Sequence, residues 1–411
     1  MNIKTTILFM LMYVSVLFIC SSVTSAQEKK EDKKLTNTIS SELDGYFKSM
    51  MKTQNYVGLG ACLIKGDKIV WDGYYGYANL GEKTPLTKDN IFQLASLSKT
   101  VTATALMQLY EQGLFKLDDD INDYMKLKVR NPNFPDKPIT FRMLLTHTGS
   151  LEDVMSTGLK IPEGIKYPRG VAGDPHIPLN ELEEELFTPG GKYYSVEYFS
   201  KSEPGTKYSY SNFAFSLIGY LVEKIAKVDF SEYCKEHIFR PLKMHNTGWF
   251  MRGLDTNKII YGYGFPTNDS IASYRKVVHF GEPGYPAGNL RTTMTDFAKF
   301  VSAFINKGKY DNYQLLKPQT VALMLTPQGI KNIPTRSFPI IDIGLTWLIN
   351  DIEGEQLYSM NGFSGSIFTN AVFSPKDRIG MIYFYTGITM KNMPAMLEIT
   401  KKLYRAVKSF D

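Results

Sequence analysis

The chain has 411 residues, of which 43% are hydrophobic, 13% aromatic and 21% charged, with a formal net charge of +6. That is ordinary globular composition, long enough for one large core or two lobes sharing an interface. The positive balance is mild and no basic cluster is interleaved with aromatics, which argues against nucleic-acid binding. The five histidines are scattered, without an HExxH pair or a Cys/His cluster, so neither a metal site nor a cofactor is expected.

Lys4, the apolar run from Ile7 to Cys20 and the small residues of "SSVTSA" have the layout of a secretory signal peptide, with cleavage expected after Ala26. The run of 14 residues is short for a spanning helix. An uncleaved anchor and lipidation at Cys20 are the weaker readings, and no later segment is apolar enough to cross a membrane. The expected location is periplasmic or extracellular. Residues 27–36 read as a charged tether and 37–411 as the folded domain. Cys62 and Cys234 remain after cleavage, and two buried thiols are a more economical reading than one disulfide.

Within the domain, apolar residues recur at helical spacing from about Ile39 to Met51. "GLGACLIKGDKIVWDGYYGYA" then alternates around a Gly-Asp turn and predicts a β-hairpin. A helix starting near Ser96 stops at Gly113. Helical stretches follow at 139–147, 212–227 and 230–238, joined by Pro- and Gly-rich loops, of which 160–192 is long enough to rim a site. After an amphipathic helix at 294–308, strands return beyond Ile340, and a helix over 391–409 ends the chain. Strands at both ends with helices between them predict an α+β fold. An antiparallel sheet flanked by helices (about 37–95 and 286–411) would carry an inserted, mostly helical lobe (about 96–285). The cleft between such lobes is where a site is expected.

"FQLASLSKTVTATALMQLYEQG" places Ser96 and Lys99 three residues apart where an apolar helix begins. Two readings stand: Ser96 caps the helix and Lys99 snorkels to water, or a desolvated lysine takes the proton of a nucleophilic serine. The Ser-x-x-Lys spacing also occurs at Ser49/Lys52 and Ser273/Lys276, but only Ser96/Lys99 opens a helix that is apolar for several turns. "PGTKYSYSNFAFSLIGYLVE" adds Tyr210 and Asn212 just before another apolar helix. The same Tyr-x-Asn unit at Tyr77 and Tyr310 lacks that setting.

Together with "ITFRMLLTHTGSL", "IFRPLKMHNTGWF" and "PAGNLRTTMTDFAKF", these segments resemble the penicillin-recognising serine hydrolases over residues 40–405. The likeness is to class C β-lactamases and their esterase and D-peptidase relatives. It implies a β-lactamase/transpeptidase-like architecture with Ser96 as the acylated nucleophile and Lys99 as its proton acceptor. Tyr210 would relay protons to the leaving group and later activate water. Asn212 would orient the substrate or Lys99. His147, in "LLTHTG", has no matched acid partner and reads as a hydrogen-bonded loop residue.

The family's third element, usually Lys-Thr-Gly or His-x-Gly, is matched here to Phe363-Ser364-Gly365, with Ser366 expected to pair its N–H with that of Ser96 as an oxyanion hole. Phe363 replaces a cation or imidazole there, which removes the expected partner of a substrate carboxylate. A charge-assisted bond of that kind contributes roughly 1.5–3 kcal/mol. Ser364 still offers a hydroxyl, and Arg291 is a cation whose place relative to the site the sequence leaves open. The resulting expectation is an exported serine hydrolase forming an acyl-enzyme with an ester or amide, esterase- or D-peptidase-like. The alternatives are a β-lactamase or penicillin-binding D-Ala-D-Ala carboxypeptidase, and a catalytically weak binder of cell-wall fragments or a protein. The substrate is expected to be a small molecule or a peptide.

Overall fold

The structure is a computed structural model and describes residues 35–152, 173–264, 271–334, 338–389, 391–392 and 394–410. The signal-peptide reading, most of the tether and part of the 160–192 stretch lie outside the described residues. The described part of that stretch is not all loop, since Leu179–Phe187 form a helix with a buried face.

The predicted hairpin forms as β1 (Gly58–Lys65) and β2 (Lys68–Asn79). Its turn uses Gly66 at φ 63°, a backbone region that glycine enters without steric cost. β3 (Thr84–Pro85) extends the sheet edge. The C-terminal half supplies β10 (Ile340–Ile343), β11 (Leu348–Ile352), β12 (Glu355–Phe363), β13 (Ile367–Ser374) and β14 (Ile379–Thr386). They join in one antiparallel sheet ordered β10-β11-β12-β13-β14-β1-β2-β3. β1 and β14, over 300 residues apart in sequence, pair from Gly58↔Thr386 to Lys65↔Ile379.

Strand alternation sends side chains to two faces. On the outer face, Leu59, Leu63, Val372 and Tyr383 pack with Phe47 of helix α1 (35–53) and Ile399 and Leu403 of the C-terminal helix. On the inner face, Cys62, Ile64, Ala371, Phe373 and Phe384 join the larger core, which continues into the helices of the middle of the chain. Those are α2 (Lys99–Glu111), α3 (Phe141–Leu145), α4 (Leu179–Phe187), α5 (Asn212–Ala226), α6 (Phe230–Cys234), α7 (Met294–Ile305) and α8 (Pro318–Leu325), with α9 (Ala395–Lys408) closing the chain. Every residue of α2 from Lys99 to Leu109 is buried, so it runs through the core rather than over it.

Three small ladders complete the frame. β4 (Ile91–Gln93) pairs with β7 (Arg291–Thr293), β5 (Gly262–Gly264) with β6 (Arg275–Val277), and β8 (Lys309–Tyr310) with β9 (Tyr313–Gln314). Predicted helices end earlier than their periodicity suggests: α6 gives way to a wider turn at Lys235–Phe239, and α7 stops at Ile305. Cys62 and Cys234 are free and buried, and desolvation pushes both thiols well up. Among the described residues no helix is long and apolar enough to cross a membrane.

Candidate active site

The β4–β7 ladder delivers the chain to the nucleophile candidate. Leu94 N–H donates to Leu290 O at 2.8 Å, and the backbone then turns through Ala95 at φ 48°, a strained value for a residue with a Cβ. Ala95–Ser98 form a short 3₁₀ turn before α2. The hydroxyl of Ser98 accepts from Leu290 N at 3.1 Å and ties the turn down. Ser96 makes no cap on either helix start, which removes the capping alternative.

Its hydroxyl instead meets two side chains. Tyr210 Oη donates to Ser96 Oγ at 2.5 Å, and Lys99 Nζ lies 3.2 Å from the same oxygen. Lys99 is 0% exposed and also donates to Asn212 Oδ1 at 2.6 Å and Ala287 O at 2.7 Å. Three oxygens within reach match the three protons of an ammonium. Lys99 Nζ also stands 4.9 Å from the centre of the Tyr210 ring.

Tyr210 and Asn212 are placed by the start of α5, where Ser211 Oγ caps Ala214 N at 3.1 Å. Ser211 N–H donates to His147 Nδ1 at 3.1 Å, and the His147 ring packs on Tyr210 at 4.5 Å between centres. His147 is a hydrogen-bonded support for Tyr210 at φ 57°. Burial, and then the charge of Lys99, hold its imidazole well below the ordinary range, so it stays neutral. A histidine depressed in the fold takes up its proton on unfolding. Stability is therefore present above about pH 6.5 and is lost as pH falls below it, by about 1.4 kcal/mol per pH unit. His147→Asn, which keeps an acceptor and tolerates positive φ, is expected to flatten this acid slope in urea unfolding at pH 5 and 7.

The third element falls elsewhere than expected. A Cβ added to Gly362 would lie 2.1 Å from Leu94 O and 2.9 Å from Ser96 N, so the β12 backbone rests directly on the Ser96 turn at Gly362. Thr369, its partner on β13, donates to Leu94 O at 2.6 Å. Gly365 and Ser366 instead form the hairpin tip, where Ser366 O accepts from Tyr263 N at 3.0 Å on β5. The structure thus corrects the reading of Phe363-Ser364-Gly365. The glycine of β12 whose backbone meets the Ser96 turn is that of Met360-Asn361-Gly362, while Gly365 and Ser366, beyond Ser364, meet Gly262, Tyr263 and Gly264 of β5. The error was one of register: Phe363 pairs with Phe368, whose side chain belongs to the outer face, so Phe363 points away from Gly362's side. Met360 shares Gly362's face and is buried and apolar.

β11 covers β12 only over Glu355–Ser359, leaving the edge open beyond it. Ser364 N–H bonds to Ile367 O across the turn at 3.2 Å. Alternation along an antiparallel ladder then aims the Phe363 N–H outward, at the open edge beside Ser96. Gly362 was legible in the sequence only as an unremarkable glycine, and its contact with Leu94 is the signal that identifies it. Arg291, the cation considered nearby, is 2% exposed and donates to Asn289 O at 3.1 Å and to Phe280 O; it is bound into the frame. Ser49 and Lys52 are exposed on α1, and Lys276 lies over the Tyr261 ring, so neither decoy pair forms a site.

A family model described as Beta-lactamase matches residues 43–396. The chain belongs to the beta-lactamase family. Members of this beta-lactamase family are serine hydrolases. The chain is 26% identical over 314 residues to Penicillin-binding protein 4* of Bacillus subtilis (strain 168), a match spanning 72% of this chain and 61% of that protein. It is 21% identical over 385 residues to Protein flp of Staphylococcus aureus (strain MW2), covering 92% of this chain and 70% of that one. The chain therefore spans less than two thirds of the Bacillus protein's length. Among solved structures, the octameric penicillin-binding protein homologue from Pyrococcus abyssi superposes with a TM-score of 0.73 at 22% identity, over 89% of this chain and 76% of that one. D-amino acid amidase from Ochrobactrum anthropi SV3, complexed with L-phenylalanine amide, gives 0.69 at 20% identity, over 91% and 99%. These likenesses show the beta-lactamase family's antiparallel sheet with its packed helices as the fold of this chain.

Proposed function

We propose that the protein hydrolyses an ester or amide through an acyl-enzyme on Ser96, with esterase- or D-peptidase-like selectivity. The observation that carries this reading is the convergence of Tyr210 Oη at 2.5 Å and Lys99 Nζ at 3.2 Å on one serine hydroxyl. In its neutral form Lys99 accepts the proton of Ser96 as Oγ bonds to the substrate carbonyl carbon. Asn212 and Ala287 O hold the amine in both protonation states. The oxygen that gains charge is met by the N–H groups of Ser96 and Phe363, fixed by the strand before the reaction begins. Tyr210 passes a proton to the leaving group as its bond breaks, then takes one from the water that releases the acyl group, while Lys99 returns its proton to the departing Ser96 Oγ. Met360, apolar where the family's third element carries charge, supports a substrate whose acyl part needs no carboxylate.

The second reading, binding or slow turnover of β-lactams, is favoured by the similarity to penicillin-binding proteins. Intact-mass measurement of the wild-type chain separates the two. Adduct formation with a fluorophosphonate plus turnover of p-nitrophenyl butyrate, without a penicillin adduct, is the expected result. A persistent penicilloyl adduct favours the second reading. No adduct with either reagent overturns both and leaves a binder. Export is part of the proposal: residues 1–26 carry the composition of a cleaved leader.

A further inference from the structure

The carbonyl that holds Lys99 belongs to a turn, Gly284–Ala287, wedged between helices. On one side Ala287 O accepts from Lys99 Nζ at 2.7 Å, and Pro286 O from Thr102 Oγ1 at 2.7 Å, both on α2. On the other side α5 presses on the turn with no room to spare. A Cβ added to Gly219 would stand 2.4 Å from Pro286 Cγ, and one on Gly284 would stand 3.1 Å from Ser216 Oγ. α4 closes the contact, with Leu179 and Leu182 against the same two positions.

At the centre of this seam is a carboxyl group. Glu183 of α4 is 0% exposed, its Oε1 accepts from the Ser216 hydroxyl, and its Oε2 has no hydrogen-bond partner among the described residues. We propose that Glu183 is a positioning residue for Lys99, acting through Ser216 and the Gly284–Ala287 turn to set the height of the Ala287 carbonyl. The proposal rests on the reading of Lys99 as part of the acid–base pair.

A buried carboxyl with one donor and one unpaired oxygen is tolerated while protonated; once ionised it needs water, and water can enter only by parting α4 from α5. Burial pushes Glu183 up to about 8, so this change falls within a measurable range. The other titratable groups around the seam are Glu184 on α4, Tyr220 and Glu223 on α5, Asp229 after it, and Tyr285 on the turn. Glu223, pushed to about 7 chiefly by burial, accepts instead from Phe230 N at 3.1 Å.

The test uses the full chain and two readouts across pH 6–9.5. One is the rate of fluorophosphonate labelling in wild type, Glu183→Gln and Glu223→Gln. The other is the Lys99 Nζ resonance in protein carrying ¹⁵N-lysine. The expected result is a wild-type to Glu183→Gln rate ratio that falls about tenfold between pH 7 and 9. The Lys99 resonance should follow the same transition in wild type and Glu223→Gln but not in Glu183→Gln. Ser216→Ala, which keeps the acid but breaks its link, is expected to lose the response as well. A Lys99 resonance that moves identically in wild type and Glu183→Gln overturns the proposal. Wild-type protein that never labels, while its Lys99 resonance still follows Glu183, overturns the hydrolase reading alone.

Discussion

Replacing Ser96 by alanine is expected to abolish fluorophosphonate labelling and to lower ester turnover by about 10⁴-fold or more. Lys99→Met is expected to fall nearly as far, and the double variant no further than Ser96→Ala alone. The reason is that the two groups perform one step: the alcohol attacks only as its proton leaves, and Lys99 has no other use in that step. Were the effects to add, the residues would act independently and the 3.2 Å contact would be incidental. Lys99→Met also leaves Asn212 Oδ1 and Ala287 O without their donor while removing the desolvation cost of a fully buried amine. Those terms oppose each other, so the melting temperature should move far less than the rate. Single-turnover kinetics and thermal unfolding on the three variants check both halves.

Gly362→Ala is expected to disable the site without touching a reacting group. The new Cβ would need the space of Leu94 O, at 2.1 Å, and of Thr369 Oγ1, at 2.6 Å. One of these contacts is backbone and cannot rotate away, so β12 and the Ser96 turn must separate. Overpacking of this kind costs about 1–3 kcal/mol of stability. A displacement of the nucleophile by about 1 Å costs on the order of 10²-fold in rate. Gly45 on α1, where an added Cβ meets nothing within 4 Å, serves as the comparison, and Gly45→Ala should leave turnover unchanged. Equal turnover in Gly362→Ala and wild type would show that the strand does not set the serine's position.

What the sequence made legible follows from how local each signal is. Ser96 and Lys99 share a turn, and Tyr210 and Asn212 share a helix start, so their relation to secondary structure could be read from spacing. The hairpin of β1 and β2 carried its own Gly66 turn. The third element is different in kind, because it depends on which residue of β12 faces Leu94. That is a register between strands and a turn more than 260 residues away in sequence. The residues "SMNGFSGS" contain two glycines three apart, and a shift of three changes the face as well as the position. Glu183 was silent for the same reason: "LNELEEELF" shows four acids, and only packing distinguishes the buried one from its solvated neighbours.

The pairing of β1 with β14 has a consequence for how the protein comes into being. The first strand of the domain finds its second neighbour only after Thr386 has been synthesised, so a nascent chain cannot complete the sheet's middle on the ribosome. Closure waits on a contact of very large sequence separation, which slows folding relative to a domain built from local contacts. A chain truncated before β14 would present β1 and β13 as bare edges, inviting aggregation rather than forming a smaller domain.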